Sequence, residues 1–295
     1  MNVTELYFDF LKNYAQKKLK ATTIRGYVTN FEKYIFPICC NYKLYELDVS
    51  VIDEIVDNCS SANLSNTSII YVLSTFSKML NYAVKRNYCK YNILKSYDYP
   101  RKDKFNYTVL SMEEMNKLID YSWFKTNCSV AFILACHYGL RRGEICALKT
   151  SDIDFVNHTI MINKSRNFVY KKDVIDSPKN DKARVILLSD YDIYLLSIYN
   201  TKCKSNKNGY FLRYIDGKCI SPNVINKTLK SCLNGANLPC VRFHDLRHSY
   251  ATHMIQNNIS PKTVSSVLGH STVKFTLDTY VHYNVTEQKE LLNLL

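Results

Sequence analysis

Four stretches of the chain place chemically usable residues at short, defined spacings. His244-Asp245-Leu246-Arg247-His248 sets a histidine and an arginine three residues apart, which on a helix share one face and could meet a single phosphate. A second reading is open there, because His244 and His248 stand four apart as in a zinc-binding helix, with Asp245 where such helices carry Glu. Arg247 weighs against it by placing a fixed cation beside a dication. Gly139-Leu140-Arg141-Arg142-Gly143-Glu144 closes an apolar run, and Arg141 could serve an anion or pair with Glu144. Lys179 lies in Ser177-Pro178-Lys179-Asn180-Asp181-Lys182, a polar hairpin turn between two expected strands, where a lysine alone reads as solvated. Leu268-Gly269-His270-Ser271 is followed by Thr279-Tyr280-Val281-His282. The chain has 24 tyrosines, so what separates Tyr280 is its position after His270.

These residues need elements to position them. From Val3 to about Cys89 the pattern is helical. Ile69, Leu73, Phe76, Leu80 and Val84 fall on one stripe, behind Ser65, Asn66 and Thr67 as candidate caps. Residues 1–94 form a helical first domain. Residues 95–107, KSYDYPRKDKFNY, read as a basic extended linker, because Pro100 opposes a continuous helix. A second domain, 108–295, opens at a capping box in which Ser111 stands three residues before Glu114. An apolar helix through Val130 to Tyr138 leads to Gly139. From Phe155 to Leu188 β-branched and aromatic residues alternate with polar ones, predicting a small antiparallel sheet inserted among helices. Helix resumes from His244 to Asn257, and the chain ends in Leu291, Leu292, Leu294 and Leu295. The fold class is therefore mainly α with one small antiparallel β-sheet in the second domain.

The chain has 295 residues and a formal net charge of +13, a balance that favours phosphate-rich partners. On the first domain Lys17, Lys18, Lys20, Arg25, Lys33, Lys78, Lys85 and Arg86 are candidate DNA contacts, or simply solubilising charge. The 11 cysteines include Cys39–Cys40 but no C-x-x-C spacing, so neither a zinc ribbon nor a disulfide framework is indicated, and a reducing cytosol fits best. No secretory leader or membrane-length apolar run is visible, and a soluble, unsecreted protein is expected.

The ordered set Arg141, Lys179, His244-x-x-Arg247, Gly269-His270 and Tyr280 resembles the tyrosine recombinases of the phage-integrase type. The HDLRHSYATH and LGHS…TYVHY stretches are its most specific parts, and the likeness spans the whole second domain. The first domain is similar in size and layout to the family's core-binding domain, and the resemblance implies a two-domain clamp on DNA. It also implies a site-specific recombinase that cleaves and rejoins DNA through a 3′-phosphotyrosyl link, integrating or excising a mobile element of a prokaryote or phage. Two other functions share the scaffold: relaxation of supercoils by a type IB topoisomerase, and a non-catalytic DNA-binding regulator, which would be expected to have lost the nucleophile or an arginine.

In the roles the resemblance implies, Tyr280 is the nucleophile, Arg141 and Arg247 neutralise the phosphate oxygens, and His270 donates another hydrogen bond. His244 accepts the phenolic proton, and Lys179 protonates the departing 5′-oxygen. The demand is physical. Attack adds charge to a phosphodiester that is already anionic, and a phenol of pKa about 10 is only about 0.1 % ionised at pH 7. No metal or other cofactor is expected, since the arginines supply what a divalent ion supplies elsewhere. Glu144 and Asp245 are expected to be structural partners. The implied partners are double-stranded core recombination sites, accessory excision or DNA-bending proteins, and further copies of the chain in a tetramer held through the C-terminal tail. That tail could equally fold back on its own domain. Many integrases carry an arm-binding module before the helical domain. This sequence begins almost at that domain, so either it recombines simple core sites or it is a fragment.

Overall fold

The computed structural model describes residues 1–103, 107–169, 172–176 and 183–269. Lys179, His270, Tyr280 and the leucine-rich end lie outside the described residues. Contacts divide the chain into two units, Met1–Phe105 and Asn106–Leu295.

The first unit is helical throughout its regular structure. Helix α1 (Val3–Phe10) starts at a capping box between Asn2 and Glu5, then runs on through a π-helical turn at Leu11–Ala15 into α2 (Gln16–Lys18). Helix α3 (Ala21–Asn30) continues in the same way into α4 (Phe36–Cys39), and α5 (Val49–Ser61) is capped by Asp48. Helix α6 (Asn66–Lys85) has Ser65 as its cap, the first of the three candidates. Its buried stripe holds Ile69, Leu73, Phe76 and Leu80 as expected, but Val84 is only half-buried and Ala83 takes the core position. The step from Leu80 to Val84 is a second four-residue step in a row and overshoots a turn of about 3.6 residues, while a three-residue step from Leu80 reaches Ala83.

The basic stretch after Lys95 is bonded into this unit. Tyr97 donates its hydroxyl to Asp53 at 2.7 Å, and Asn66 donates to the Arg101 carbonyl at 3.0 Å. Asp103 accepts the Thr67 amide at 2.9 Å, adding a carboxylate to the α6 N-terminus where the helix dipole favours one.

The second unit begins with α7 (Met112–Trp123), entered through the Ser111–Glu114 capping box. Helix α8 (Ser129–Tyr138) is apolar all round and packs between α7 and α12 (Phe243–Gln256) at the centre of the core. Its far end is fixed by buried Asp192 on α10 (Asp190–Lys202), which accepts the Tyr138 hydroxyl at 2.6 Å and pairs with His137 at 3.0 Å. Helix α9 (Arg142–Ala147) follows directly, and α11 (Pro222–Gly235) and α13 (Pro261–Leu268) complete the described helices.

Two antiparallel sheets are present where a single one is predicted. Strands β1 (Ile153–Asp154), β2 (Thr159–Ile162) and β5 (Arg184–Leu187) form one, while β3 (Ser165–Val169) and β4 (Lys172–Asp176) form a separate ribbon. The expected hairpin across Lys179 is thereby corrected. Among the described residues its flanking strands do not pair with each other: β4 pairs with β3 and β5 with β2. Burial sets that register: Ile160 faces Ile186 across the β2–β5 ladder and both are buried, so the apolar face fixes β5's partner.

Candidate active site

Two motif glycines shape the turns that carry the cations. Helix α8 ends at Gly139 with φ +64°, a left-handed conformation that glycine adopts without steric cost. A Cβ there would come within 2.5 Å of Leu268 and 2.7 Å of Tyr250. Helix α13 ends in the same way at Gly269, with φ +65°.

Arg141 and Arg247 converge on that second turn. The Arg247 guanidinium is 1 % exposed and donates to the Gly139 carbonyl and to the Leu268 carbonyl, each at 2.8 Å. Arg141 donates to the same Leu268 carbonyl at 3.2 Å and to the Gly269 carbonyl at 3.1 Å. Two motif arginines 106 positions apart in sequence thus share one acceptor, on the residue pair that immediately precedes His270. Two like charges so placed repel each other and need anionic or carbonyl partners, the setting that also attracts a phosphate.

Glu144 supplies one such partner, as expected. Its buried carboxylate accepts from Arg141 Nη1 at 2.8 Å and from the Arg141 amide at 2.9 Å. Burial works against its ionisation, but the hydrogen bonds and charge of Arg184, and then the charge of Arg141, prevail and bring its pKa down to about 2. Arg184 was missed in the sequence. It donates to both Glu144 oxygens, at 3.1 and 2.8 Å, and its Nε donates to the Val267 carbonyl at 2.7 Å. Asp245, the other expected structural partner, closes the N-terminus of α12 with Arg242, which donates to it at 2.7 and 3.1 Å.

His244 sits in the first turn of α12 with its ring exposed. Partial withdrawal from water, then the charges of His248, Arg247 and Arg141, lower its pKa to about 4, so it is neutral near pH 7 and able to accept a proton. The His248 ring meets it edge-on at 4.8 Å, while its own face stacks on Tyr107 at 4.7 Å. Leu110 adds two bonds to α12: its amide donates to Ser249 Oγ, and its carbonyl lies 2.7 Å from His253 Nε2. Among the described residues no three His, Cys, Asp or Glu side chains gather as a metal site. Of the six candidates, Arg141, His244 and Arg247 are thus brought to one place, and Lys179, His270 and Tyr280 fall outside the described residues.

Residues 108–287 match the model of the phage integrase family, and residues 6–104 match that of the phage integrase SAM-like domain. The chain belongs to the phage integrase family. It is a tyrosine recombinase, an enzyme that recombines DNA at specific sites. A tyrosine recombinase XerC-like protein of Caldanaerobacter subterraneus subsp. tengcongensis is 27 % identical over 312 residues, covering 94 % of this chain and 78 % of that protein. The Tn1549 transposon integrase, solved with transposon right end DNA, superposes with a TM-score of 0.84 at 18 % identity, covering 100 % of this recombinase and 99 % of that chain. The lambda integrase, solved as a tetramer bound to a Holliday junction, gives a TM-score of 0.74 at 16 % identity over 95 % of this chain and 77 % of its own. At such identities the two structures establish a shared fold. No helix among the described residues is long and apolar enough to cross a membrane.

Proposed function

We propose that this recombinase cuts and rejoins double-stranded DNA at core sites by transesterification through Tyr280. The phenolic oxygen attacks the scissile phosphorus, a 3′-phosphotyrosyl bond forms, and the bond to the 5′-oxygen breaks. Lys179 gives that oxygen its proton, and His244 takes the phenolic one. In the second half a 5′-hydroxyl from another end displaces Tyr280, so ester energy is conserved and no ATP is needed. Arg141, Arg247 and His270 hold the charge that builds on the non-bridging oxygens. The reading rests above all on one observation: Arg141 and Arg247 meet at the Leu268 carbonyl, two residues before His270.

The neutral state of His244 fits this scheme. Its low basicity comes in part from the cations around it, and a phosphate docked on Arg141 and Arg247 offsets those charges and restores its pull on a proton. Residues 1–94 act as the core-binding domain, 95–107 as the linker and 108–295 as the catalytic domain, with the basic surface of both domains on DNA. The recombinase works in a bacterial cytoplasm on the nucleoid, moving a mobile element, as a tetramer on two paired sites. Its leucine-rich tail from about Glu287 docks on a neighbouring copy, because such an apolar end is costly to expose. Accessory excision or DNA-bending proteins set the direction of the reaction.

The test is to incubate the protein with nicked duplexes drawn from the flanks of its own gene, in EDTA, and to look for a detergent-stable protein–DNA adduct. An adduct joined through a 3′-phosphate is expected. A strict requirement for added zinc or magnesium would overturn the scheme.

A further inference from the structure

Arg184 opens β5, five residues after Lys179 in sequence, and no part of the sequence motif includes it. Its guanidinium is nonetheless joined to both halves of the cation site. Two nitrogens hold Glu144, the acid that grips Arg141, and the third donates to Val267, next to the Leu268 carbonyl that Arg141 and Arg247 share. All six residues lie in the second unit.

The charge count explains why a second cation is wanted on Glu144. Arg141 and Glu144 alone form a neutral, part-buried pair, and an incoming phosphate would have to compete with the carboxylate for the same guanidinium. With Arg184 bound to the same carboxylate, Glu144 is held by two cations and the trio keeps one net positive charge. Side-chain exposure divides the labour, since Glu144 is 1 % exposed and Arg184 11 %, while Arg141 at 22 % is the one open to solvent. A lysine in place of Arg184 would keep the charge but has no fork to span Glu144 and the Val267 carbonyl together.

We propose that Arg184 is a positioning residue for strand cleavage, which by holding Glu144 and the last turn of α13 together leaves Arg141 charged and aimed for the scissile phosphate. The inference rests on the recombinase reading above.

The experiment compares the parent protein, R184Q and R184K in single-turnover cleavage of the same nicked duplexes, made either with an ordinary scissile phosphate or with a neutral methylphosphonate there. R184Q is expected to cleave the phosphate about 100-fold more slowly, the scale on which slight misplacement of a catalytic group costs rate. Its non-covalent DNA affinity should stay within about 3-fold, as one buried guanidinium contributes little to counterion release. R184K should fall between the two. The methylphosphonate needs no charge neutralisation, so the phosphate-to-methylphosphonate rate ratio should drop in R184Q. Equal loss on both substrates, or no loss, overturns the positioning role. If R184Q does not fold, R184K carries the test, and a parent-like rate and ratio in R184K overturn it equally. A parent protein that forms no adduct on any duplex counts against the recombinase scheme itself, whereas an active parent with unaffected variants counts against Arg184 alone.

Discussion

Helices α6 and α12 each pack into the core of their unit, yet they bury different mixtures of residues. Helix α6 buries Ile69, Val72, Leu73, Phe76, Met79 and Leu80, with Thr75 the one polar side chain in its apolar stripe. Helix α12 buries Asp245, Arg247, Ser249 and Thr252 beside Phe243, Leu246, Ala251 and Ile255. Burying polar groups costs free energy unless each is matched. Asp245, Arg247 and Ser249 have hydrogen-bond partners, while the buried Thr252 hydroxyl has none among the described residues, so α12 is held by specific partners as well as by hydrophobic burial. The first helix is built to be stable. The second is built to hold an arginine still, and its partners, Gly139 and Leu268, belong to the turns that form the site.

Truncating the polar helix at its centre should have the largest effect. Arg247→Ala removes the proposed phosphate ligand, takes the donor from the Gly139 carbonyl and leaves the Leu268 carbonyl to Arg141 alone, so single-turnover cleavage is expected to fall about 100- to 1,000-fold, with stability lower by about 1–3 kcal/mol. Cleavage kinetics and chemical denaturation of the same variant read the two losses separately. The matching change in the apolar helix, Phe76→Ala, should cost about 3–5 kcal/mol by leaving a cavity, while the rate per folded, DNA-saturated molecule stays near the parent's. A large loss of intrinsic rate in that variant would break the contrast between the helices.

A smaller effect comes from protonation. The pKa of His244 is about 4 in the folded chain against an ordinary value near 6.5, so the unfolded chain binds the proton first as pH falls. The stability due to the neutral ring is therefore complete above about pH 6.5 and is lost as pH drops from there toward 4. The pKa of His248 is lowered too, first by burial, and adds to the same slope. Thermal melts between pH 7 and 4 should show His244→Gln losing less stability on acidification than the parent. An unchanged slope would remove the electrostatic account of His244.

The same contrast explains what could be read in the sequence. The α6 stripe, its Ser65 cap and the Ser111–Glu114 box are legible because each is set by neighbours within a few residues. Val84 was misplaced because two four-residue steps in succession overshoot a helical turn. The site was legible only as ordered motifs. What those motifs do not state is the wiring, since Arg141 reaches Leu268 over 127 positions and Arg184 reaches Glu144 over 40 and Val267 over 83. Arg184 also follows Lys179 and Lys182 in a polar segment, where nothing in local pattern separates a clamp from a solvated charge. The two-sheet arrangement escaped for a related reason, because alternation marks strands without saying which strand each will pair with.

The central claim is that a tyrosine, not a water or a metal-bound hydroxide, attacks the phosphate. The direct measurement is covalent trapping of Tyr280→Phe beside the parent on nicked duplexes, followed by gel shift under native conditions. Loss of the single phenolic oxygen should abolish the detergent-stable adduct while leaving the native shift nearly unchanged. An adduct of undiminished yield from the phenylalanine variant would contradict the assignment.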